Sequence, residues 1–238
     1  MKEFLTRWIY FFCSLKERYF GRKASYSQDG DDLKALELLG DVKTFIDIGA
    51  NDGFTSSNTF LFALKGAEGV CLEPVPSIFW MLRGLYLFNS RIKCLNYGIS
   101  DRDADAEMVK SGLLSYLPDT QDPGHRELVN ECFDKSFKKV NIRLITFSTL
   151  TKLTTVPRET DLLSIDVEGH ELQVLRSIDF DSYRFRLIII ETHTYDDKGN
   201  SLWTHRDLSD IDSLLLRHGY AAIARSSVNT FYMSSQDS

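Results

Sequence analysis

Four short apolar runs in this chain each stop at an acidic residue or a glycine turn, and stretches of helical periodicity separate them. Thr44–Ile48 runs into Gly49-Ala50-Asn51-Asp52-Gly53, and Gly69–Leu72 into Glu73-Pro74. Leu162–Val167 is broken only by Ser164 and Asp166, and Leu187–Ile190 stops at Glu191-Thr192-His193. Runs of this kind read as strands covered on both faces. Their alternation with helical patterns predicts an α/β fold on a mainly parallel sheet.

The remaining pattern fits that frame. Helices are expected over Asp31–Leu39, Ser56–Leu64, Ser77–Leu87, Glu171–Ser177 and Asp207–His218, the last stopped by Gly219. Ile92–Asn96 and Val140–Phe147 read as further strands, and Ala221–Ala224 with Thr230–Met233 as a closing antiparallel pair. Residues 103–139 interrupt the rhythm with Ser111-Gly112, Pro118-Asp119 and Asp122-Pro123-Gly124, which predicts a loop-rich insertion. At 238 residues, the chain is expected to form one domain over 24–238 preceded by a segment, 1–23.

Charge separates those two parts. The chain holds 28 basic and 34 acidic side chains, a net −6. Residues 1–23 carry six basic and two acidic ones, a local +4, so the body carries −10. An acidic body argues against nucleic acid as the partner, because neutralising phosphates needs clustered Lys and Arg. The first segment, with Leu5, Trp8, Ile9, Phe12 and Tyr19 on one stripe, reads as an amphipathic helix. Its longest uncharged run, Trp8–Leu15, is too short to span a bilayer, and no small-residue cleavage site follows, so no signal peptide is expected. Two expectations stand for it: packing on the domain or a second subunit, or peripheral contact with an anionic membrane face. Cys13, Cys71, Cys94 and Cys132 form no C-x-x-C pair, which points to a reducing, cytoplasmic setting. Trp80 and Trp203 read as packing residues.

In an open α/β sheet, ligands bind beyond the carboxyl ends of the strands. The polar residues there are Asp47, Asn51, Glu73, Asp101, Asp166, Glu168, Glu191 and His193. Gly49 and Gly53 let the backbone turn tightly and approach a ligand. Glu73, ending the next strand, is placed to accept hydrogen bonds from two ribose hydroxyls. A nicotinamide dinucleotide site is disfavoured, because the loop is G-x-N-x-G rather than G-x-G-x-x-G and Asp47 would face a pyrophosphate. An acid at that position suits a cationic or zwitterionic nucleoside such as S-adenosylmethionine.

Five blocks then carry a resemblance. They are Tyr26–Asp32 (YSQDGDD), Phe45–Gly53 (FIDIGANDG), Cys71–Pro76 (CLEPVP), Asp161–Glu171 (DLLSIDVEGHE) and Ile189–His193 (IIETH), in this order. With these the chain resembles the FkbM family of S-adenosylmethionine-dependent methyltransferases. The resemblance implies a class I methyltransferase (Rossmann-like) three-layer sandwich with an antiparallel C-terminal strand. It implies that Asp47, Gly49, Ala50, Asn51 and Gly53 line the methionine end of the cofactor, with Asp166 beside them. Glu73 and Pro74 would hold the ribose, Gly98, Ile99, Ser100 and Asp101 would lie near the adenine, and Gln28 would cap the pocket. It implies O-methylation of a sugar, glycan or related metabolite. The rival from another class is a methyltransferase-fold binding or trafficking module without catalysis.

For such a reaction an acceptor hydroxyl must lose its proton. Asp166 and Glu168, two apart, are expected to point to one side, and Glu191 and His193 share that spacing. Asp166 or Glu168 would position the acceptor, and Glu168, His170 or His193 would take the proton. A carboxylate-rich cleft also admits Mg²⁺ or Mn²⁺, which prefer oxygen ligands. The 103–139 insertion and the 194–206 loop are expected to form a lid over the acceptor.

Overall fold

A strand covered on both faces needs apolar side chains at successive positions, and the central runs of this chain supply them. The computed structural model describes residues 24–110, 117, 138–195, 201–204 and 207–235. In chain order it begins with helix α1 (Asp31–Leu39), strand β1 (Thr44–Ile48), helix α2 (Phe60–Leu64), strand β2 (Glu68–Leu72), helix α3 (Pro76–Leu85) and strand β3 (Ile92–Leu95). A small group follows: β4 (Gly98–Ile99), β5 (Ala104–Lys110) and β6 (Lys138–Ile145). Then come α4 (Phe147–Leu153), β7 (Glu159–Ile165), α5 (Glu171–Arg176), β8 (Arg184–Glu191), β9 (His193–Tyr195) and β10 (Ser201–Thr204). Helix α6 (Leu208–Arg217) and strands β11 (Tyr220–Arg225) and β12 (Asn229–Ser234) follow them.

The main sheet has seven strands in the order β11-β12-β8-β7-β1-β2-β3. Strands β3, β2, β1, β7 and β8 are parallel neighbours, while β12 runs antiparallel to both β8 and β11. The chain builds outward from β1 to β3, then returns to the other side of β1 at β7. That reversal opens a crevice at the carboxyl ends of β1 and β7, where α/β folds hold ligands.

Period-two alternation sends side chains to two cores. Ile46, Ile48, Val70, Leu72, Leu163, Ile165, Ile188 and Ile190 pack with Leu175, Ile211 and Leu215 of α5 and α6, and with Phe147 and Leu150 of α4. Phe45, Cys71, Leu162, Leu187 and Ile189 face the other way, onto Ala35, Phe60 and Leu82 of α1, α2 and α3. The result is a three-layer sandwich. Strands β4, β6 and β5 make a separate small sheet, and its Met108, Ile142 and Leu144 pack on Val75 and Ile78 at the start of α3.

Several local expectations change. The helix expected over Ser56–Leu64 starts only at Phe60. Upstream, the Asp52 carboxylate accepts from the amides of Phe54 and Thr55, and the Ser57 hydroxyl accepts from that of Phe60. These side chains give the backbone a non-helical alternative. Phe147 opens a helix instead of closing a strand, because Thr146 Oγ1 accepts from the Thr149 amide and caps α4. Residues 104–110 of the segment read as loop-rich form β5, which pairs antiparallel with β6. Trp80 is 66% exposed rather than packed. The 1–23 segment, the turn signals between Ser111 and Gly124, and residues 196–200 and 205–206 of the lid lie outside the described residues. No helix among the described residues is long and apolar enough to cross a membrane.

Two polar knots fix the frame. At the amino ends of the strands, Asp161 accepts from the amides of Lys43 and Thr44 (2.8 and 3.0 Å) and from Arg186 (3.1 Å). Those amides and the guanidinium more than offset its partial burial and hold its carboxyl below the usual range. Near the other end, residues 25–32 are tied to the turn between β11 and β12. Asp31, fully buried, accepts from Asn229 Nδ2 at 2.7 Å and Ser226 Oγ at 3.1 Å, and Asp29 accepts from the Ser227 amide at 2.9 Å. Asp32 gathers Ser25 Oγ and the amides of Tyr26 and Leu33. Gln28 lies inside this tied segment.

Candidate active site

The carboxyl ends of β1, β2, β7 and β8 surround a cavity of about 200 Å³. From β1 come Asp47, Gly49, Ala50 and Asn51; from the end of β2, Glu73 and Pro74; from β7, Ser164, Asp166 and Glu168; from β8, Glu191. Gln28 closes one side from the tied segment, and Thr55 to Asn58, Ile78 and Met108 complete the wall.

The turn after β1 is stitched to both neighbouring strands. The amides of Gly49 and Ala50 both donate to the Leu72 carbonyl (3.0 and 2.9 Å), and that of Asp166 donates to the Ile48 carbonyl (3.0 Å). Gly49 has φ +92°, and a Cβ there would stand 1.7 Å from the Asp166 carbonyl oxygen. The missing side chain is what lets β1 and β7 close on one another. Asp47 sits beneath this turn, buried, with Thr59 Oγ1 donating to it at 2.5 Å. Burial pushes its carboxyl up to about 6, and the Thr59 hydroxyl only partly opposes that.

Glu73 is buried, with Oε1 accepting from the Val75 amide at 2.8 Å. Asn96 Nδ2 donates to the carbonyls of Glu73 and Pro74 (2.8 and 2.9 Å), holding the bend after β2. A carboxylate can accept several hydrogen bonds at once, from hydroxyl donors as well as amides.

Asp166, Glu168 and Glu191 form the most concentrated charge in the site. One carboxylate oxygen from each lies within 4.8 Å of the other two. Strand pleating does not produce this convergence, because β7 ends at Ile165. A left-handed turn does, with Glu168 at φ +57° and Gly169 at φ +96°. Glu171, fully buried, pins that turn by accepting from the amides of Val167 (3.0 Å) and Gly169 (3.3 Å). Asp166 and Glu191 face one another closely enough that each carboxyl disfavours ionisation of the other. The Asp166 side chain is open to the cavity, yet the walls enclose it. That enclosure, with the charges of Glu168 and Glu171, holds its carboxyl well above the usual range. The Glu191 carboxyl is raised likewise, by burial and then by Asp166 and Glu168. Such an all-oxygen set could also hold a hard divalent ion.

The other expected residues stand elsewhere. His170 is buried at the start of α5, with Nε2 2.9 Å from Ser100 Oγ, which donates in turn to Asp101 (3.2 Å). Burial lowers its pKa, which favours the neutral ring. His170 thus braces the Gly98–Asp101 segment, where Gly98 and Ile99 form β4 against β6, and none of these line the cavity. Gly53 also stands off; a Cβ there would lie 2.6 Å from Leu82 of α3. His193 opens β9, pairs with Thr204 of β10 and leaves the main sheet after Thr192; its side chain is outside the described residues. Sequence reasoning gave no role to Glu171, Thr59 or Asn58, whose Nδ2 donates to Ser164 Oγ (3.3 Å). Thr59 and Asn58 carry no motif, and only Glu171 stood within a quoted block.

Asp47 carries a consequence for stability. Its folded carboxyl, near 6, lies above the unfolded value of about 4, so the folded state binds the proton more tightly. The associated stability is fully present below about pH 4 and lost as pH rises through 6, a loss of about 3 kcal/mol. Asp47→Asn is therefore expected to melt higher than the parent at pH 8 but not at pH 4. Melting curves at both values check this; an equal offset at the two would exclude a strained carboxylate.

The sequence profile of the methyltransferase FkbM domain matches residues 47–222. Among solved structures, a methyltransferase FkbM from Methylobacillus flagellatus KT superposes with a TM-score of 0.50 at 14% identity, over 81% of this chain and 43% of that one. This chain thus spans less than half the length of that protein. A precorrin-6y C5,15-methyltransferase from Geobacter metallireducens GS-15 matches over 91% and 95% of the two chains, at 11% identity and a TM-score of 0.44. No curated protein matches the sequence.

Proposed function

The chain belongs to the FkbM methyltransferase family, and from that premise we propose that it moves a methyl group from S-adenosylmethionine to a hydroxyl of a sugar, glycan or related metabolite. Family membership implies S-adenosylmethionine as donor. The cavity fits such a group: a tight glycine turn at the end of β1, a fixed carboxylate at the end of β2, and an acid rather than a base beneath the turn. Gly49, Ala50, Asn51 and Asp47 would hold its amino-acid end, and Glu73 its ribose. When bound, it supplies an electrophilic methyl group on a sulfonium.

The observation that carries the hydroxyl reading is the gathering of Asp166, Glu168 and Glu191 at the cavity wall. A hydroxyl is a weak nucleophile until its proton finds a base, and general bases work best when their pKa lies near the working pH. Raised carboxyls meet that need better than ordinary ones. Asp166 and Glu168 would orient the hydroxyl and accept its proton, with Glu191 keeping the pair singly protonated. The buried, Ser100-bound His170 is a brace in this scheme.

Calorimetry and transfer assays test the proposal. The parent is expected to bind S-adenosylhomocysteine and to gain thermal stability from it but not from a nicotinamide dinucleotide. Glu73→Ala should lose most of that affinity; unchanged affinity would move the ribose contact elsewhere. Labelled methyl should pass to members of a panel of free sugars and glycans in an alkali-stable form, as expected of an ether rather than an ester. Binding without transfer to any hydroxyl would favour the non-catalytic module. Turnover abolished by a chelator and restored by Mg²⁺ would place an ion, rather than a shared proton, among the three carboxylates.

A further inference from the structure

We propose that the β3 edge of the domain docks on an anionic lipid surface. The observation is a reversal of charge. Residues 74–100 contain Arg83, Arg91 and Lys93 and no acidic side chain, in a body that otherwise carries a strong negative surplus. The same stretch exposes large apolar groups. Trp80 of α3 is 66% exposed, and Leu87 and Phe88, just past the helix end, are 63% and 81% exposed. Trp80 and Arg83, three apart on α3, lie on one face of the helix.

Arg83, Leu87 and Lys93 border an open groove of about 370 Å³, with the half-exposed Leu153 of α4 on its far side. Neither Arg83 nor Lys93 joins an ion pair among the described residues. A lysine on a terminal strand serves to block strand pairing, which accounts for Lys93 alone. It does not account for three large apolar side chains exposed beside two further arginines.

Contiguous exposed apolar groups mark interaction surfaces. Exposed Trp, Phe and Leu in a stretch whose cations join no ion pair among the described residues match the boundary of a bilayer, where apolar groups enter the acyl region and cations meet anionic headgroups. This face lies far along the chain from residues 1–23. Helix α3 also lines the cavity through Ile78, so the docking element and the site share one helix.

The full chain is tested by sedimentation with vesicles of phosphatidylcholine alone and of phosphatidylcholine mixed with phosphatidylglycerol. Binding is expected to the mixed vesicles only, and to weaken at about 1 M salt, where screening shortens to about 3 Å. The triple variant Trp80→Ser, Leu87→Ser, Phe88→Ser and the double variant Arg83→Glu, Lys93→Glu should each lower the partition coefficient roughly tenfold. Their melting temperatures and S-adenosylhomocysteine affinities should match the parent's. Three results would overturn the proposal. The parent could stay in the supernatant. Both variants could bind like the parent, which would put any lipid contact in residues 1–23. Light scattering could show a parent dimer that the triple variant breaks, giving the face to a second copy.

Discussion

Glu168→Gln and Asp166→Asn are each expected to lower kcat by about 10²–10⁴-fold and to leave S-adenosylhomocysteine binding largely intact. The split between turnover and binding is the informative part. Both side chains stand at the cavity wall, but in the proposed reaction the turn of Gly49 and the carboxylate of Glu73 would make the donor-side contacts. Neither substitution changes volume much, so packing survives. Glu168 holds a left-handed backbone, a conformation that costs about 1–3 kcal/mol for a residue of its kind and persists because Glu171 pins the turn. The pH profile gives a second readout. An accepting carboxylate must be ionised, so kcat/KM should rise with pH. The midpoint should lie above the ordinary carboxylate range of about 4, because enclosure and neighbouring charge raise Asp166 and Glu191. Full activity in both variants would remove these residues from proton transfer.

Gly49→Ala should be the most damaging single methyl in the domain. Gly66 supplies the control. The two glycines have nearly the same backbone, φ +92° and +93°, but a Cβ on Gly66 meets nothing within 4 Å. Gly66→Ala therefore carries only the left-handed penalty, about 1–2 kcal/mol. At Gly49 the added carbon would lie 1.7 Å from the Asp166 carbonyl oxygen, so β1 and β7 must part where their amides and carbonyls are stitched. A loss above about 4 kcal/mol is expected, with S-adenosylhomocysteine binding abolished in whatever folds. Chemical denaturation of both variants measures the difference; similar losses would mean that φ, not the strand approach, dictates glycine at position 49.

Strand ends were the legible part of this chain. A buried strand admits few polar residues, so Asp47, Glu73, Asp166 and Glu191 stood out against their apolar runs, and the fold brings all four to one cavity. What stayed hidden depends on contacts remote in sequence. Nothing near His170 announces Ser100, seventy positions away, so its contact with the Gly98–Asp101 segment was not legible beside its candidacy as a proton acceptor. Glu171 looked like an ordinary first-turn acid until the amides it serves were placed. The late start of α2 came from a local competition, Asp52 and Ser57 against the helix, that periodicity does not register. Trp80 misled in the other direction: an aromatic at helical spacing reads as core, and only the packing of α3 shows which side it takes.

The knot between residues 25–32 and the β11–β12 turn has a consequence for the order in which the protein matures. Asp31 and Asn229 are 198 positions apart, so the segment carrying Gln28 leaves the ribosome long before its anchor. Until then Asp29 and Asp31 lack their partners in the β11–β12 turn, and β12, wedged between β8 and β11, cannot yet zip the sheet shut. Contacts of such long range form slowly, after local structure has condensed. The emerging chain would thus hold an open-sided cavity until β12 arrives, and competence to grip the methyl donor would wait for that strand.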